Sequence, residues 1–340
     1  MAIEIQNSAL ESNNTLNLAF CDSAELISLK KWLRQPYRLF YFAFTPRLKR
    51  KQRAFTANLA QKSQVAQDWR HFLTAYFDNK LDAFDIKPKQ DLGTDKIIWQ
   101  YWGQGFDDKL PSMVQLCFTS IDQYKGNYQV IRLCDLTIAE YLDLPEFVWE
   151  KRQNHEFKHA FFADLLRLAL LKAYGGIWAD ATILLTAPID NEIAKQDFFM
   201  FSRNATTDDK LFWQNFNADY FGWNDNHYVN ILNSFIVAKK DSEILNHCLQ
   251  IMLNFWHTQN HIPHYFFFQI MYDVLTKEFV QNQQLSIDDT LPHQLISIIN
   301  DPFDADKYRQ ITENINIHKM IYIANVRPGS YYKYLLNIYK

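Results

Sequence analysis

Two oppositely charged residues, Asp164 and Arg167, interrupt an otherwise apolar stretch from Phe161 to Tyr174, in which Lys172 is the only other charge. The apolar residues predict a helix that is buried over most of its circumference. Residues three apart on a helix lie about 60° apart around its axis, so both side chains project over one spot. Since Asp and Arg are rarely buried without a partner, the two form either an ion pair inside the core or a pair facing a polar ligand.

A double glycine, Gly175-Gly176, follows this helix and is the only adjacent pair among eight glycines. Glycine just beyond a helix end adopts the left-handed cap conformation, and a second glycine lets a backbone or a ligand approach closely. The residues from Ile177 to Leu185 are β-branched and apolar, which predicts a buried strand. Asp180 would be a carboxylate inside or at the end of that strand, where it needs a cation, a hydrogen-bond donor or a ligand.

The whole pattern resembles the signature of sugar-nucleotide glycosyltransferases with the GT-A fold. It is most similar to bacterial capsular polysaccharide synthesis proteins, relatives of glycosyltransferase family 32, whose motif has the common form SDxxRxxxLxxxGGxWxDxT. The run from Ala163 to Thr182 keeps the spacing of the helix, the double glycine, the aromatic residue and the aspartate. Ala163 stands where serine is usual, and Thr182 stands where the wider clan has the second aspartate of an Asp-x-Asp motif.

The resemblance implies roles for five residues of this run. Asp164 and Arg167 would grip hydroxyl groups of the donor sugar. Trp178 and Asp180 would hold the ribose, with Gly176 in the same nucleotide-sugar site. Asp180, Asp164 and Arg167 are also the implied catalytic residues.

A second part of the resemblance lies upstream, in the apolar stretch from Lys96 to Gly103. This stretch predicts a short strand and is similar to the first strand of the family. The resemblance implies that Trp102 stacks on the nucleotide base, with Tyr101 beside it. From the residue type alone, an aromatic side chain here could equally belong to the core.

The resemblance also implies a manganese or magnesium ion that neutralises the diphosphate through hard oxygen ligands. Asp180 is the only clear carboxylate for such an ion, and Thr182 is a poor substitute for the missing second aspartate. In the family the C-terminal tail returns over the active site, so His318 and Ser330 become candidate metal ligands and Lys319 a candidate diphosphate contact. The alternative for His318 and Lys319 is that they are simply exposed residues of a terminal strand.

Around these motifs, strands and helices alternate, which indicates a parallel α/β sheet whose ligands bind beyond the carboxyl ends of the strands. The strand ends near Trp102 and Asp180 should then face one cleft. The resemblance implies a Rossmann-like, GT-A-like domain, with a mostly parallel sheet flanked by helices. The connection 203–228 is rich in aromatic residues, which suit either an acceptor sugar or loop packing. Further elements predicted are helices at Ser112–Tyr124, Leu136–Leu142, Asp241–His257 and from His261 to Val274, and strands at Tyr128–Leu133, Asp197–Ser202, Asn230–Ala238 and Ile315–Ile323.

Length and composition indicate the class of protein and its division into regions. The 340 residues, 48% of them hydrophobic and 16% aromatic, predict a globular protein with a substantial core. We expect a helical N-terminal region over 1–93 and the GT-A-like domain over 94–340. Four scattered cysteines indicate a reducing compartment without a disulfide framework. No apolar run of about 18–20 residues and no signal peptide is evident, so a cytoplasmic location is expected.

The net charge of −3 conceals a basic segment. Between Glu25 and Asp68 there are ten Lys or Arg residues and no acidic residue, so the remainder of the chain carries −13. Aromatic and aliphatic residues, including the run from Leu39 to Phe44, lie among these cations. This mixture favours the surface of an anionic membrane. A helical face packed on the catalytic domain is the alternative, and nucleic acid is not expected because no recognised module accompanies the segment.

The sequence and the resemblance together predict a cytoplasmic glycosyltransferase, with peripheral contact to the inner face of the membrane as a further expectation. It would transfer a sugar, with retention, from a nucleotide-diphosphate donor such as a UDP-sugar to a saccharide or lipid-linked acceptor of capsule synthesis. Two alternatives remain open. One is an inactive relative that serves as an assembly module, and the other is a nucleotide-sugar hydrolase.

Overall fold

The computed structural model describes residues 18–107, 110–157, 159–281, 284–323 and 325–339. A short 3-10 turn spans Ile138–Glu140, another spans Leu291–His293, and a π-helical turn spans Leu275–Phe279. The helices are α1 (Ala24–Leu33), α2 (Tyr37–Phe44), α3 (Arg47–Phe77), α4 (Ser112–Tyr124), α5 (Glu146–Arg152), α6 (His159–Tyr174), α7 (Asn191–Ala194), α8 (Lys210–Phe216), α9 (Glu243–Thr258), α10 (Phe267–Val274), α11 (Gln294–Ser297), α12 (Ala305–Asn314) and α13 (Tyr331–Ile338). The strands are β1 (Ile97–Tyr101), β2 (Gln129–Leu133), β3 (Gly176–Ala179), β4 (Ile183–Leu185), β5 (Phe198–Ser202), β6 (Ile231–Ala238) and β7 (Ile317–Lys319).

Five strands form the central sheet, in the order β2-β1-β3-β6-β5. β1 pairs in parallel with both β2 and β3, whereas β6 is antiparallel to β3 and to β5. β5 therefore points the same way as β3, and only β6 opposes the common direction. The sheet is mixed, it is flanked by helices, and an N-terminal helical segment precedes it. The predicted α/β, GT-A-like fold class is confirmed.

The stretch from Ile177 to Leu185, predicted as one buried strand, is two strands in different sheets. β3 ends at Ala179, the chain turns through Asp180 to Thr182, and β4 pairs antiparallel with the C-terminal strand β7. The backbone N–H of Ile183 donates to the carbonyl of Asp180 at 2.8 Å, which closes this turn. The prediction was wrong because apolar β-branched composition does not show where a strand bends.

Helix α3 packs into the same core as the sheet. Trp69 is fully buried, its indole N–H donates to the carbonyl of Phe267 at 3.0 Å, and its ring lies against Phe72 and Phe255. From residue 18 onward, the N-terminal region and the region that begins at residue 94 thus share a core at this helix. The buried side chains of α3 all lie in the part of the helix that begins at Ala57.

Gly176 allows β3 to lie close to β1. Its φ of +103° disfavours any side chain, and a Cβ there would stand 2.5 Å from the carbonyl oxygen of Ile97. Gly176→Ala is therefore expected to lower the free energy of unfolding by at least about 2 kcal/mol, measured by urea denaturation. Gly126 is the control, because its φ of +57° is also positive but nothing lies within 4 Å of the position that a Cβ would take. Equal losses for Gly176→Ala and Gly126→Ala would contradict the close approach.

Candidate functional site

A cleft of about 620 Å³ opens beyond the carboxyl ends of β1 and β3. Its size is within the range of about 300–1,000 Å³ typical of small-molecule pockets. Trp102, directly after β1, and Asp180, directly after β3, both line it, as the order of the strands predicted. Side chains from α6, from the start of the antiparallel strand β6 and from β7 contribute to the polar part of the lining: Asp164, Arg167, Asn233, Ser234 and Lys319.

Arg167 joins helix α6 to the end of β3. Its guanidinium lies 2.9 Å from Asp164 and 3.2 Å from Asp180, and it donates to the carbonyl of Asn233 at 2.7 Å. The side-chain amide of Asn233 in turn donates to Asp164 at 2.8 Å. The two motif carboxylates, separated in sequence by the helix end and the double glycine, thus meet on one buried cation. Asp164 and Arg167 form an ion pair and also line the cleft.

Asp180 lies between two cations. One of its oxygens accepts from Arg167 and from the indole N–H of Trp178 at 2.8 Å, and the other accepts from Lys319 at 3.1 Å. Lys319 also donates to the hydroxyl of Thr182 at 2.8 Å. Burial by itself would raise the pKa of Asp180, but Lys319, Arg167 and the Trp178 hydrogen bond together hold that pKa below its ordinary value. Asp180 is therefore ionised at neutral pH.

Asp164 is in a different electrostatic situation from Asp180. Its burial raises its pKa to about 6, against the opposite effect of the Arg167 charge, and the negative charge of Asp180 adds to the increase. The Asp164 side chain is only 9% exposed, compared with 24% for Asp180. Two carboxylates with separated pKa values in one cleft are typical of functional sites.

Three buried polar atoms on residues that line the cleft have no hydrogen-bond partner among the residues that the structure describes. They are Nε of Arg167, Oγ of Ser234 and Oε1 of Gln269. The amide nitrogen of Gln269 donates to Asn233 at 3.0 Å, so its orientation is fixed and its oxygen remains available. Leaving such a group unpaired costs about 1–3 kcal/mol, which a polar ligand would recover. This cluster was not found from the sequence, although two adjacent polar residues inside the apolar strand β6 were a signal for it.

Trp102 and Tyr101 occupy one side of the cleft. Trp102 is partly exposed and packs against the small cluster formed by Val114, Phe118 and Ala181. Tyr101 is buried, and its hydroxyl donates to the carboxylate of Asp135. Tyr101 thus presents part of its ring to the cleft and has its polar end occupied, whereas the ring of Trp102 is free to contact a ligand.

An aromatic wall faces this side, made by the connection 203–228 and the segment before α10. Its members that line the cleft are Phe216, Tyr220, Phe221, Tyr265 and Phe266. Tyr265 is 62% exposed and Phe216 is 38% exposed, so both can contact a ligand with their ring faces. Other aromatic residues of the connection 203–228 do not line the cleft. Trp213 is buried, and Trp223 donates to the carbonyl of Asn204 outside the cleft.

A buried ion pair that sequence reasoning missed holds this wall in place. Arg203 lies 2.6 Å from Asp289, and their side chains are 3% and 0% exposed. Asp289 also accepts the hydroxyl proton of Tyr220 at 2.8 Å, and the Arg203 guanidinium lies over the rings of Phe221 and Trp223. The two residues are far apart in sequence and neither belongs to a recognisable motif, so only the fold could show the pair.

Three residues predicted for the site lie elsewhere. Gly176 is at the opposite end of β3, where it lines a different depression. His318 is fully buried with its Nε2 3.1 Å from the hydroxyl of Thr186, because alternate residues of β7 point to opposite faces and Lys319 takes the face toward the cleft. Ser330 caps α13: its hydroxyl donates to the carbonyl of Arg327 and accepts from the N–H of Lys333. Each has a structural role at its own place.

The residues of the cleft do not fit a divalent metal ion. Magnesium is usually held by one or two carboxylates together with water and substrate phosphates, but both oxygens of Asp180 already accept hydrogen bonds from Arg167, Trp178 and Lys319. The ammonium of Lys319 lies where an ion bound between Asp180 and Thr182 would have to be. Nor do the described ranges of the chain contain any group of three or more His, Cys, Asp or Glu side chains placed to hold a metal.

The fold and the cleft define the class of protein: an α/β, GT-A-like protein with a partly polar cleft at the carboxyl ends of its central parallel strands. The chain belongs to the capsular polysaccharide synthesis protein family, whose model matches residues 49–335. The match spans all the cleft residues described above, and it confirms the family that the motif from Ala163 to Thr182 predicted. No curated protein matches the sequence.

Proposed function

We propose that the protein is a glycosyltransferase of capsule or related surface polysaccharide synthesis, using a nucleotide-diphosphate sugar, with UDP-sugars as the first candidates. One observation carries the proposal: Asp180 lies at a strand end between Arg167 and Lys319, in a cleft that also holds unpaired polar atoms. Family membership supports the setting in capsule synthesis. The reaction, the donor and retention of the anomeric configuration are parts of the proposal, and retention rests on the resemblance alone.

The geometry suggests where each part of the donor would bind. The base would stack on the exposed face of Trp102, since an aromatic ring binds a flat heterocycle by stacking. Ser234, Gln269 and the ion pair of Asp164 with Arg167 offer hydrogen-bonding atoms for sugar hydroxyls. A sugar has a polar rim and an apolar C–H face, so the aromatic wall suits an acceptor saccharide on the opposite side.

The chemistry of transfer matches the charges of the cleft. In the proposed reaction the bond between the anomeric carbon and the diphosphate oxygen breaks, a bond forms from that carbon to an acceptor hydroxyl, and the proton of that hydroxyl passes to the departing diphosphate. Negative charge develops on the departing diphosphate and is best stabilised by fixed cations in a site from which water is excluded. Lys319 and Arg167 are such cations, and their partner Asp180 holds both in position.

Loss of the second aspartate at Thr182 favours one competing function, an inactive assembly module. The experiment that separates the two measures release of nucleoside diphosphate from UDP-, GDP-, ADP- and dTDP-sugars, with and without an extract of capsule saccharides and lipid-linked acceptors. We expect release that depends on the acceptor. Release without an acceptor would identify a hydrolase, and binding without any release would identify the assembly module.

A further inference from the structure

Lys319 reaches the cleft through the register of the second sheet. In the antiparallel pair of β4 with β7, Lys319 lies opposite Ile183, and the N–H of Met320 donates to the carbonyl of Thr182 at 2.8 Å. The Lys319 ammonium is thereby placed beside Asp180 and Thr182, 139 and 137 residues away in sequence. Its side chain is 20% exposed, so it is neither buried away from a ligand nor free in solvent.

The pair of Lys319 and Asp180 has the same net charge as a divalent metal ion bound by two carboxylates. Two carboxylates around a divalent ion sum to zero, and so do one carboxylate and one ammonium. Thr182 removes one negative charge relative to an Asp-x-Asp motif, and Lys319 supplies one positive charge instead of two. An ammonium has three N–H donors, of which two go to Asp180 and Thr182, so the third is available to a phosphate oxygen.

From this arrangement we propose that Lys319 serves as a built-in cation for the donor diphosphate, so that donor binding needs no divalent metal. The inference rests on the proposed function and specifies how its site works. A lysine in this position is fixed by the pairing of β4 with β7, whereas an ion would have to displace it from Asp180. Arg167 would assist from the other side, since it shares Asp180 with Lys319.

The test is a calorimetric titration of the full chain with UDP, GDP, ADP and dTDP, in EDTA and in manganese. We expect the nucleotide that binds to have the same Kd in both buffers. Lys319→Met should weaken its binding at least tenfold while leaving the affinity for the corresponding nucleoside, which lacks phosphates, unchanged. Lys333→Ala is the matched control, because it removes an exposed lysine of α13 outside the cleft. The double variant Thr182→Asp with Lys319→Ser should regain binding only when manganese is present.

The outcomes separate this inference from the proposed function. Wild-type binding that requires manganese would overturn the role of Lys319 while leaving a nucleotide-sugar site intact. Lys319→Met that binds the diphosphate as tightly as wild type, with an unchanged melting temperature, would also overturn it. Absence of wild-type binding to all four nucleotides in both buffers would instead reject the proposed function itself.

A second, independent observation concerns the surface of α1, α2 and the first half of α3. This basic aromatic face combines exposed cations with exposed large apolar side chains, and no acidic residue lies between Glu25 and Asp68. Guanidinium groups lie over its rings, Arg50 over Phe42 at 4.7 Å for example. The apolar members with at least 40% exposure are Ile27, Trp32, Leu33, Tyr37, Leu39, Phe40, Phe42, Phe44, Leu48 and Phe55, and the cations are Lys30, Lys31, Arg34, Arg38, Arg47, Lys49, Arg50, Lys51 and Arg53.

We propose that the basic aromatic face docks on an anionic membrane surface. Charge complementarity argues for this occupant: an anionic lipid surface attracts each nearby cation, and aromatic rings prefer the headgroup level. Helices that lie in the interface show this combination of a cationic rim and exposed Phe and Leu. Within the described ranges no helix combines the length and the apolarity that crossing a bilayer requires.

The basic aromatic face extends onto the same helix, α3, as residues that contact the cleft wall, so docking would bring the membrane near the cleft. Further along α3, Asn58 and Lys62 each bind Asp219 at 2.6 Å, and the neighbours of Asp219 in sequence include Asn217 and Tyr220 of the cleft wall. Arg50 precedes Asn58 by eight residues, which is about 12 Å along a helix. A membrane bound at the face would thus lie close to the aromatic side of the cleft, where a lipid-linked acceptor would enter.

The test is co-sedimentation of the full chain with vesicles of phosphatidylglycerol and phosphatidylcholine, or of phosphatidylcholine alone. Binding is expected only to the anionic vesicles and should fall steeply between about 50 and about 500 mM salt, as screening predicts. Lys49→Glu with Lys51→Glu should reduce it at least tenfold, and Phe40→Ser with Phe44→Ser should reduce it as well. Lys195→Glu with Lys239→Glu, an equal reversal at exposed lysines elsewhere, should bind like wild type. Equal binding of both charge-reversal variants, or a dimer in light scattering that the Phe40 and Phe44 changes dissolve, would overturn the membrane assignment.

Discussion

Asp180→Asn is expected to lower kcat/KM for sugar transfer by about 10²–10³-fold, the effect of removing one preorganised electrostatic group from an active site. The amide keeps the size of the side chain but removes the charge that holds Arg167 and Lys319 in the cleft. Because those two cations then lose a shared counter-ion, the free energy of unfolding should also fall, by about 1–3 kcal/mol. Initial rates and urea denaturation of the same preparation measure both effects.

The control for Asp180→Asn is Glu192→Gln, which neutralises an exposed carboxylate on α7 outside the cleft. It should leave kcat/KM and stability at their wild-type values. A folded Asp180→Asn protein with wild-type turnover would remove Asp180 from the mechanism. A large loss of stability without any loss of specific activity in the folded fraction would limit Asp180 to a structural role.

Asp289→Asn is expected to destabilise the protein by about 3–5 kcal/mol, because removing one member of a buried ion pair leaves the other charge buried without compensation. The Arg203 side chain is 3% exposed, and Asp289, at 2.6 Å, is its only ion-pair partner among the described residues. The Tyr220 hydroxyl loses an anionic acceptor in the same variant. The cleft wall built on Tyr220 and Phe221 should therefore loosen together with the pair, which raises KM for the acceptor.

Asp197→Asn is the matched control for Asp289→Asn, since it breaks an ion pair with Lys239 in which the Asp197 and Lys239 side chains are 77% and 60% exposed. Exposed pairs contribute about 0–1 kcal/mol, so this variant should unfold at nearly the wild-type urea concentration. Replacing both members of the buried pair, with Arg203→Met and Asp289→Leu, should recover part of the loss. A cost of less than about 1 kcal/mol for Asp289→Asn would show that the pair does not hold the wall.

Sequence patterns predicted those parts of the fold and the site that depend on neighbouring residues of one helix or turn. Helical spacing placed Asp164 and Arg167 over one spot, and the structure has them 2.9 Å apart. The helix Ser112–Tyr124 was predicted with the bounds that the structure has, because a regular amphipathic pattern ends at clear breaks. The double glycine marked the junction that turns the chain from α6 into β3.

Local sequence patterns could not predict contacts between segments that are distant in the chain. The sequence offered His318 and Lys319 equally, and only the pairing of β7 with β4 shows which of the two faces Asp180. Arg203 and Asp289 are isolated charges whose pairing depends on the path of two loops. Asn233 of β6 donates to Asp164, and Gln269 of α10 donates to Asn233, although both lie far along the chain from Asp164. Polar side chains in buried elements indicate that a partner exists, and the fold decides which one.

The most direct test of a metal-independent nucleotide-sugar site is the melting temperature of the purified full chain with UDP, GDP, ADP and dTDP and their sugars, each in EDTA and in manganese. A ligand at about 100 times its Kd adds about 2.7 kcal/mol to the free energy of unfolding, which gives a clear increase in melting temperature. We expect one nucleotide series to stabilise the wild type to the same extent in both buffers and to leave Asp180→Asn without stabilisation. Unchanged melting temperatures with every nucleotide and nucleotide sugar, in both buffers, would contradict such a site.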